Sequence, residues 1–480
     1  MKKFIKIHYL LILNLLLSGC ETDLDINKNP DLLVPNKIPL SSELPAAITG
    51  IAGATGSYYA IIGGFWSQFW TQSAVANQYK SIDDYTLNAG SSINSGGWAN
   101  MYDALTDVRN IKRVALEEEN WNYYLIATTL EVYASQVLTD FYGEIPYSEA
   151  NDPGILNPKF ESEETVYDLM VSNLKEALGK DLSTSPEGNQ PGNTDFIFKG
   201  DMTKWVQFAN TVLLKVYLRQ TEVRESVAQS GINELYTNNA SFLEEDAVVD
   251  IFINGDSKSN PLYESDRRQL NVGTNLRASS TIGSYLSTND DPRLAKFFDG
   301  TTFQNQGDYD DGSGSAAVVK LSATDPVYFI SLAESKFLQA EAAVRFRNGT
   351  NASALYNAGV IAAFSQWGLE AGDLITGAYV FPNTNNNDQI EAIITQKWIS
   401  FFPGKGYESF FEYNRTGFPI TSSINQTDPE YIPGQFAYSI EGKTGGVFPK
   451  RIEYPIDESQ RNSNTPTVKK ITEPVWYDAN

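Results

Sequence analysis

One cysteine and one histidine limit the chemistry that this chain could perform. Cys20 and His8 are the only residues of their types among 480. Both lie near the N-terminus, where three lysines precede an apolar run from Leu10 to Leu17. That order is typical of a secretory signal peptide, and the run is too short to span a bilayer. The thiol and the imidazole therefore belong to a segment whose pattern indicates export.

The residues directly before Cys20 extend this interpretation. Ser18 and Gly19 are small, as a signal peptidase requires, and LLSGC at 16–20 resembles the lipobox of bacterial lipoproteins. The resemblance implies that residues 1–19 are a lipoprotein signal peptide and that Cys20 becomes the acylated first residue. An ordinary signal peptide with an incidental cysteine is the alternative. Since two or three acyl chains anchor a protein stably, we expect a membrane-anchored protein that does not cross the bilayer.

Cleavage before Cys20 would leave a mature chain without histidine. Ser-His-Asp and Cys-His catalysis, zinc sites built from cysteine or histidine, and disulfides are then excluded. The net charge of −23 would fall to −26 with the loss of three lysines. Such a charge argues against nucleic acid as a partner and makes membrane attachment depend on the lipid. We expect a protein that is not an enzyme and holds no cofactor or metal.

Paired carboxylates are the catalysts that need no histidine. Asp140 directly precedes the sequence FYGEIPY, and Glu144 lies within it; a glycoside hydrolase needs only two carboxylates that face a cleft. The alternative is a helix end followed by a turn that Gly143 and Pro146 set. We favour the turn, because neighbouring acidic residues are common in so acidic a chain.

Aromatic residues offer a binding chemistry instead. The chain has 8 Trp, 26 Tyr and 25 Phe, and many lie in loops rich in Gly, Asn and Ser. Aromatic faces in such loops suit sugar rings or peptides. The alternative is that most of these rings are core residues, and Trp98 could equally anchor a helix start. Our candidates for ligand contact are Tyr58, Tyr59, Phe65, Trp66, Tyr79, Tyr85, Trp98 and Tyr309.

One acidic loop has some features of a metal site. Asp308, Asp310 and Asp311 precede Gly312, but the alternating ligands and closing glutamate of a calcium-binding EF-hand are absent. We therefore expect a solvated loop.

Periodicity indicates a mainly α-helical protein with long irregular loops and a few short strands. An extended tether at 20–40 leads to a single domain at 41–480. Within it, residues 41–240 and 325–415 are predicted to be helical, 241–324 to be a loop-rich insertion, and 416–480 to be a loop-rich tail.

Several helices have readable starts. Ser162 and Asp201 are predicted N-caps, and 121–140 is apolar on more than one face, which predicts a buried helix. Asp325-Pro326 predicts a helix that runs to Gly349. A second helix capped by Asn351 would complete a tetratricopeptide-like pair.

Five ordered stretches resemble the SusD/RagB family of Bacteroidetes outer-membrane lipoproteins, in its SusD-like 2 branch. They are LTDFYGEIPYSEA at 138–150, KWVQFANTVLLKVYLR at 204–219, AESKFLQAEAAVR at 333–345, QKWISFFPGKGYESFFEYNRTGFP at 396–419 and RIEYPIDESQRNSN at 451–464.

The resemblance implies four tetratricopeptide-type helix pairs in a protein that covers a SusC-like TonB-dependent transporter. It implies an outer-membrane location at the cell surface and an oligosaccharide ligand. A RagB-like importer of peptides is the alternative, and a carboxylate-dependent glycoside hydrolase is a further one. The motifs themselves are expected to hold the fold, with Arg415 and Arg461 paired to carboxylates.

Overall fold

The computed structural model of the protein describes residues 38–270, 273–310, 312 and 314–479. The predicted signal peptide, the predicted lipidation site Cys20 and nearly all of the predicted tether lie outside these residues, as does Asp311 of the acidic loop. The chain divides into a unit Met1–Pro39 and a unit Leu40–Asn480, which contains the helices and strands described below.

Helices dominate the second unit, as the periodicity predicts. The α-helices, in chain order, are α1 Leu40–Ala54, α2 Ala60–Trp66, α3 Lys80–Asp83, α4 Ser92–Glu117, α5 Trp121–Tyr142, α6 Glu163–Leu178, α7 Met202–Leu218, α8 Glu225–Thr237, α9 Pro261–Tyr263, α10 Ser280–Thr288, α11 Leu294–Phe297, α12 Leu332–Phe346, α13 Ala352–Ser365, α14 Asn386–Ser400, α15 Gly406–Thr416 and α16 Ile456–Arg461. Two π-helical turns, Thr55–Tyr59 and Glu264–Arg268, and two 3₁₀ turns, Leu182–Thr184 and Gly372–Ile375, complete the set.

The strands are short and antiparallel. They are β1 Trp70–Gln72, β2 Ala247–Val249, β3 Leu276–Ala278, β4 Phe298–Asp299, β5 Val318–Val319 and β6 Val327–Ile330. One sheet has the order β1-β3-β5-β4, and β2 pairs with β6 in a second. In the first sheet Thr71 lies opposite Arg277 and Gln72 opposite Leu276.

Helix α5 lies at the centre of the core. Every residue from Asn122 to Tyr142 is buried, which confirms the buried helix predicted from its apolar faces. It packs against α4, α6 and α7, and α12 packs against α13, so consecutive helices form the hairpins expected of a tetratricopeptide-like array. The predicted caps are also confirmed: Ser162 Oγ accepts the Thr165 N–H at 3.3 Å and Asp201 Oδ1 accepts the Thr203 N–H at 3.0 Å.

One predicted helix start is wrong, and another is confirmed in position but lacks the predicted side-chain cap. Asp325-Pro326 does not begin a helix, because the following residues form β6 and pair with β2. The run VYFI is β-branched and aromatic, and such residues suit a strand. Helix α12 begins instead after Ser331, whose hydroxyl accepts the Glu334 N–H at 3.2 Å. Asn351 takes a left-handed conformation with φ of 61° and makes no side-chain cap.

A cluster of buried charges joins α5, α7, α12, α14 and α15. We call it the charged cluster, and its described members are Lys215, Arg219, Lys397, Lys405, Arg415, Asp140, Glu334, Glu341, Glu408 and Glu412. Its cations and carboxylates are formally equal in number, which is how buried charges are tolerated. Four of the five family-like motifs supply these residues, and Arg415 pairs with Glu341 at 2.7 Å as expected.

Candidate functional site

The structure buries most of the aromatic residues proposed for ligand contact. Tyr58 alone of the eight is partly exposed, and the other seven are buried. Their neighbours are largely other rings: Tyr59 stacks on Phe141 at 5.1 Å between centroids, and Trp66 lies 4.9 Å from Phe410.

A ring whose faces are covered by protein has no face to offer a sugar. The geometry therefore favours the core alternative for Tyr59, Phe65, Trp66 and Tyr85. Of the remaining three, Trp98 lines a surface cavity. Tyr79 and Tyr309 are buried next to Lys80, which lines a groove.

An open groove is lined by Gln78 and Lys80, the two chain neighbours of Tyr79, but not by Tyr79 or Tyr309 themselves. We call it the loop groove; its volume is about 670 Å³, and it is lined by Ala74–Gln78, Lys80, Gln269, Leu270 and Asn275. Asn77, Gln78 and Gln269 are exposed. Their amides can donate to and accept from a polar ligand, and the Lys80 ammonium can donate to it.

A buried carboxylate positions the groove. Asp83 Oδ2 accepts from the Thr71 hydroxyl at 2.6 Å and from the Gln72 N–H at 2.8 Å, while Oδ1 accepts from Gln306 Nε2 at 2.5 Å. Burial raises the pKa of Asp83 to about 6, and these three hydrogen bonds oppose the rise. Asp83 therefore ties β1 to the loop that carries Gln306.

The loop from 73 to 79 is fixed at both ends. The Ser73 N–H donates to the Asn275 carbonyl at 2.8 Å, and the Tyr79 N–H donates to Gln72 Oε1 at 2.7 Å. The last residue of β1, Gln72, is paired with the first residue of β3, Leu276. The two loops that line the groove therefore leave the sheet at the same end of these strands. Side chains on such a supported loop are held in place for binding.

The acidic loop contacts Lys80, one of the residues that line the groove. The Lys80 Nζ lies 3.0 Å from Asp310 Oδ1 and 4.3 Å from the Tyr309 ring centroid. Tyr309 donates to Asp84 Oδ2 at 3.2 Å, and burial, with help from Asp84, raises the pKa of its phenol. Across the described ranges no three His, Cys, Asp or Glu side chains are grouped so that they could hold a metal ion.

Trp98 borders a different cavity, of about 280 Å³. Its ring packs at 4.8 Å against both Tyr102 and Tyr142, which is the helix-anchor role considered for it. The exposed Arg461 lines the same cavity. The ion-pair expectation for Arg461 is not met, since no salt bridge joins it to the part of the chain that the structure describes.

The two carboxylates considered as a hydrolase pair do not share a cleft. Asp140 is fully buried, where it accepts from Arg219 Nε at 3.0 Å and from the Tyr167 hydroxyl at 2.5 Å. Burial raises its pKa to about 7, more than Arg219 lowers it. Glu144 is half-buried in the turn. A carboxyl enclosed by protein cannot reach a glycosidic bond, so the turn interpretation is favoured.

A family model described as SusD-like 2, starch-binding associating with outer membrane, matches residues 36–439. The chain belongs to this family. Comparison with curated proteins finds no match. Membership confirms the resemblance inferred from the five motifs, and the described residues contain no helix with the length and apolar composition to span a membrane.

Solved structures of SusD-like proteins share the fold. A SusD homologue from Bacteroides uniformis is 22% identical with a TM-score of 0.73, and the match covers 91% of this chain and 99% of that one. A chitin-binding SusD homologue from Flavobacterium johnsoniae is 21% identical with a TM-score of 0.72, with coverage of 91% and 99%. A homologue from Bacteroides thetaiotaomicron is 21% identical with a TM-score of 0.72, with coverage of 92% and 99%.

Sequence reasoning missed the residues that build the SusD-like loop groove. Asn77, Gln78 and Gln269 are ordinary loop residues without periodic or motif signals, and Asp83 is separated from Gln306 by 223 positions. The nearest available signal was the pair of tyrosines, Tyr79 and Tyr85, that bracket this stretch of chain.

Proposed function

We propose that this protein is a non-catalytic, cell-surface lipoprotein that binds oligosaccharides in the loop groove. In this proposal it passes them to a SusC-like TonB-dependent transporter in the outer membrane. The family description, with its reference to starch and the outer membrane, supports both the ligand class and the location. Two structural neighbours that are described as chitin-binding support the ligand class as well.

The observation that carries the proposal is the chemistry of the groove. A sugar presents hydroxyl groups at its edge and C–H groups on its faces, so its site needs polar side chains beside apolar ones. Asn77, Gln78 and Gln269 supply amides, while Val75, which is 65% exposed, and Leu270 supply apolar surface. The groove is also open enough for a chain of sugars to extend beyond it.

Calorimetry on protein that starts after Cys20 tests the ligand class. Chitin and starch oligosaccharides are titrated into the wild type and into the double variant Asn77→Ala/Gln78→Ala. Because each amide hydrogen bond contributes about 1 kcal/mol, we expect the double variant to raise Kd roughly tenfold or more. Asn387→Ala, an exposed asparagine that is not part of the groove, serves as the matched control and should bind like the wild type.

Each outcome has a clear meaning. If oligosaccharides bind equally well to the double variant, the loop groove is not the site. If only peptides bind, the RagB-like alternative replaces the oligosaccharide. New reducing ends that appear on incubation, and disappear on replacing one acidic residue, would show a hydrolase.

The transporter is tested in the native membrane. A lipid anchor would confine both partners to one membrane and raise their effective concentration without any new contact. We therefore expect a TonB-dependent barrel to copurify with this protein after gentle detergent extraction, as identified by mass spectrometry. Recovery without any such barrel would remove the import step from the proposal and leave the binding step standing.

A further inference from the structure

A second cavity lies in a different part of the domain and shares no lining residue with the loop groove. We call it the enclosed cavity. It has a volume of about 270 Å³ and is formed between the first π-helical turn, β6 and the turn that joins α14 to α15. π-helical turns are frequent at functional sites. The first turn is tightly packed here, since a Cβ on Gly56 would lie 3.0 Å from Val327 Cγ2.

Five aromatic residues and two prolines are part of the wall. They are Tyr328, Trp367, Phe401, Phe402, Tyr407, Pro326 and Pro403. Trp367 is held by Phe297, 5.0 Å away between centroids, and by Phe402 at 6.4 Å. A wall of interlocked rings keeps its shape when a ligand enters or leaves.

The volume limits what can enter. An apolar cavity of about 150 Å³ holds benzene, and small-molecule pockets begin at about 300 Å³. The enclosed cavity therefore suits a flat molecule of one or two rings, whereas an oligosaccharide is both too large and too polar for it.

Two polar groups specify the ligand further. Gln366 Oε1 is buried and accepts no hydrogen bond from the part of the chain that the structure describes, while its amide lies near the Tyr328 hydroxyl. Most buried acceptors in proteins are paired with a donor. A ligand N–H or O–H would satisfy Gln366 Oε1.

The second polar group is Lys296 at the rim. Its side chain is exposed and forms no ion pair with any described residue, so its ammonium is available to an anionic group. Lys405 also lines the cavity, but Glu334 and the Phe329 carbonyl hold its Nζ. Asp325 is the acidic neighbour; its carboxylate accepts the Ser322 N–H at 2.7 Å, and burial raises its pKa.

We propose that the enclosed cavity binds a small aromatic carboxylate, with one or two rings among Trp367, Phe401 and Phe402, a donor on Gln366 Oε1 and the carboxylate on Lys296. This site is independent of oligosaccharide binding in the loop groove, so either can fail without the other. It gives the protein a second class of ligand.

Indole-3-acetate is a suitable probe, because it combines two fused rings, an N–H donor and a carboxylate. Titration calorimetry on the mature chain should show saturable one-to-one binding with Kd of about 1 mM or lower. Gly404 lines the cavity, and a Cβ on it meets no atom within 4 Å. Gly404→Trp should therefore occupy or cover the cavity and raise Kd at least about tenfold.

Gly188→Trp is the matched control, since Gly188 has equally open surroundings and lies outside the cavity; it should bind like the wild type. Lys296→Met should weaken indole-3-acetate at least about threefold and leave the uncharged 3-methylindole unchanged. Thermal melting of each variant confirms that it is folded.

Three results would overturn the proposal. The first is no saturable heat at millimolar indole-3-acetate. The second is equal binding by Gly404→Trp and Gly188→Trp. The third is tighter binding of tryptamine, the matching cation, than of indole-3-acetate, because this would assign the charge recognition to Asp325 instead of Lys296.

Discussion

Replacement of Arg219 by methionine tests whether the charged cluster stabilises the fold. The Arg219 guanidinium is fully buried at the end of α7 and pairs with three carboxylates. Its Nε lies 3.0 Å from Asp140, Nη2 lies 2.9 Å from Glu408, and Nη1 pairs with Glu412. Methionine retains an apolar stem of similar length but leaves five carboxylates facing four cations.

The expected loss in the free energy of unfolding follows from these contacts. Removing one partner of a buried ion pair costs about 3–5 kcal/mol, because the remaining charge stays buried without compensation. Arg219 also lies 5.4 Å from the Phe411 ring centroid and 5.5 Å from that of Tyr477, contacts that contribute up to about 2 kcal/mol when desolvated. Proton uptake by Asp140, whose pKa burial raises to about 7, offsets part of this loss. We expect a net loss of at least about 3 kcal/mol.

Arg224→Met provides the matched control. Arg224 lies just before α8 and pairs with Glu164 and Asp168, whose side chains are 55% and 60% exposed. Water and salt screen such pairs, so its replacement should cost less than about 1 kcal/mol. Urea denaturation of both variants at pH 7, followed by far-ultraviolet circular dichroism, compares them directly. Equal midpoints for the two variants would refute the stabilising role of the cluster.

Three further predictions concern pH and the anchor. Burial raises the pKa of Asp83 to about 6 in the folded protein, against 3.8 for an unperturbed aspartate. The stabilisation of the folded state by protonated Asp83 is therefore present below pH 4 and is lost as pH rises through 6. The wild type should therefore lose roughly 3 kcal/mol against Asp83→Asn between pH 4 and 7.5, measured by urea midpoints. Glu408 of the charged cluster has the opposite sign, because the neighbouring cations lower its pKa to about 2 despite burial. The stabilisation of the folded state by ionised Glu408 is present above about pH 4.5 and is lost as pH falls toward 2. Acid titration should show a smaller loss of stability in Arg219→Met than in the wild type. Cys20→Ala should abolish palmitate labelling and outer-membrane fractionation but leave the melting temperature unchanged; continued fractionation with the membrane would contradict the lipoprotein interpretation.

The sequence predicts those parts of the structure that depend on local pattern. Helix α5 could be predicted because its apolar residues cover more than one face. The caps at Ser162 and Asp201 could be predicted because a side-chain oxygen at each position accepts a backbone N–H of the first helical turn. The helix expected at Asp325 failed for a reason outside the local pattern. Residues Val327–Ile330 pair with β2, which lies about 80 positions earlier, and tertiary pairing overrides local propensity.

The candidate site was harder to predict for the same physical reason. Glycine-rich surroundings suggested that Tyr59 and Trp66 were exposed, but Phe141 and Phe410 cover them from distant parts of the chain. Aromatic residues bury the largest apolar areas, so a ring in a loop-like sequence is still drawn into the core wherever the fold brings other rings near it.

The positions of the family-like motifs explain why family membership identifies the fold so clearly. Residues 204–219, 333–345 and 396–419 supply nine of the ten members of the charged cluster, including Arg219 and Glu408. The loop groove is instead lined by Ala74–Gln78, Lys80, Gln269, Leu270 and Asn275, which lie outside the five motifs. A change within the cluster should therefore alter stability without altering ligand choice. A change at Asn77 or Gln78 should alter which ligand binds and leave stability nearly constant, because both side chains are exposed and surface substitutions cost about 0.5 kcal/mol or less. In the proposed function, stability and specificity are thus assigned to separate sets of residues.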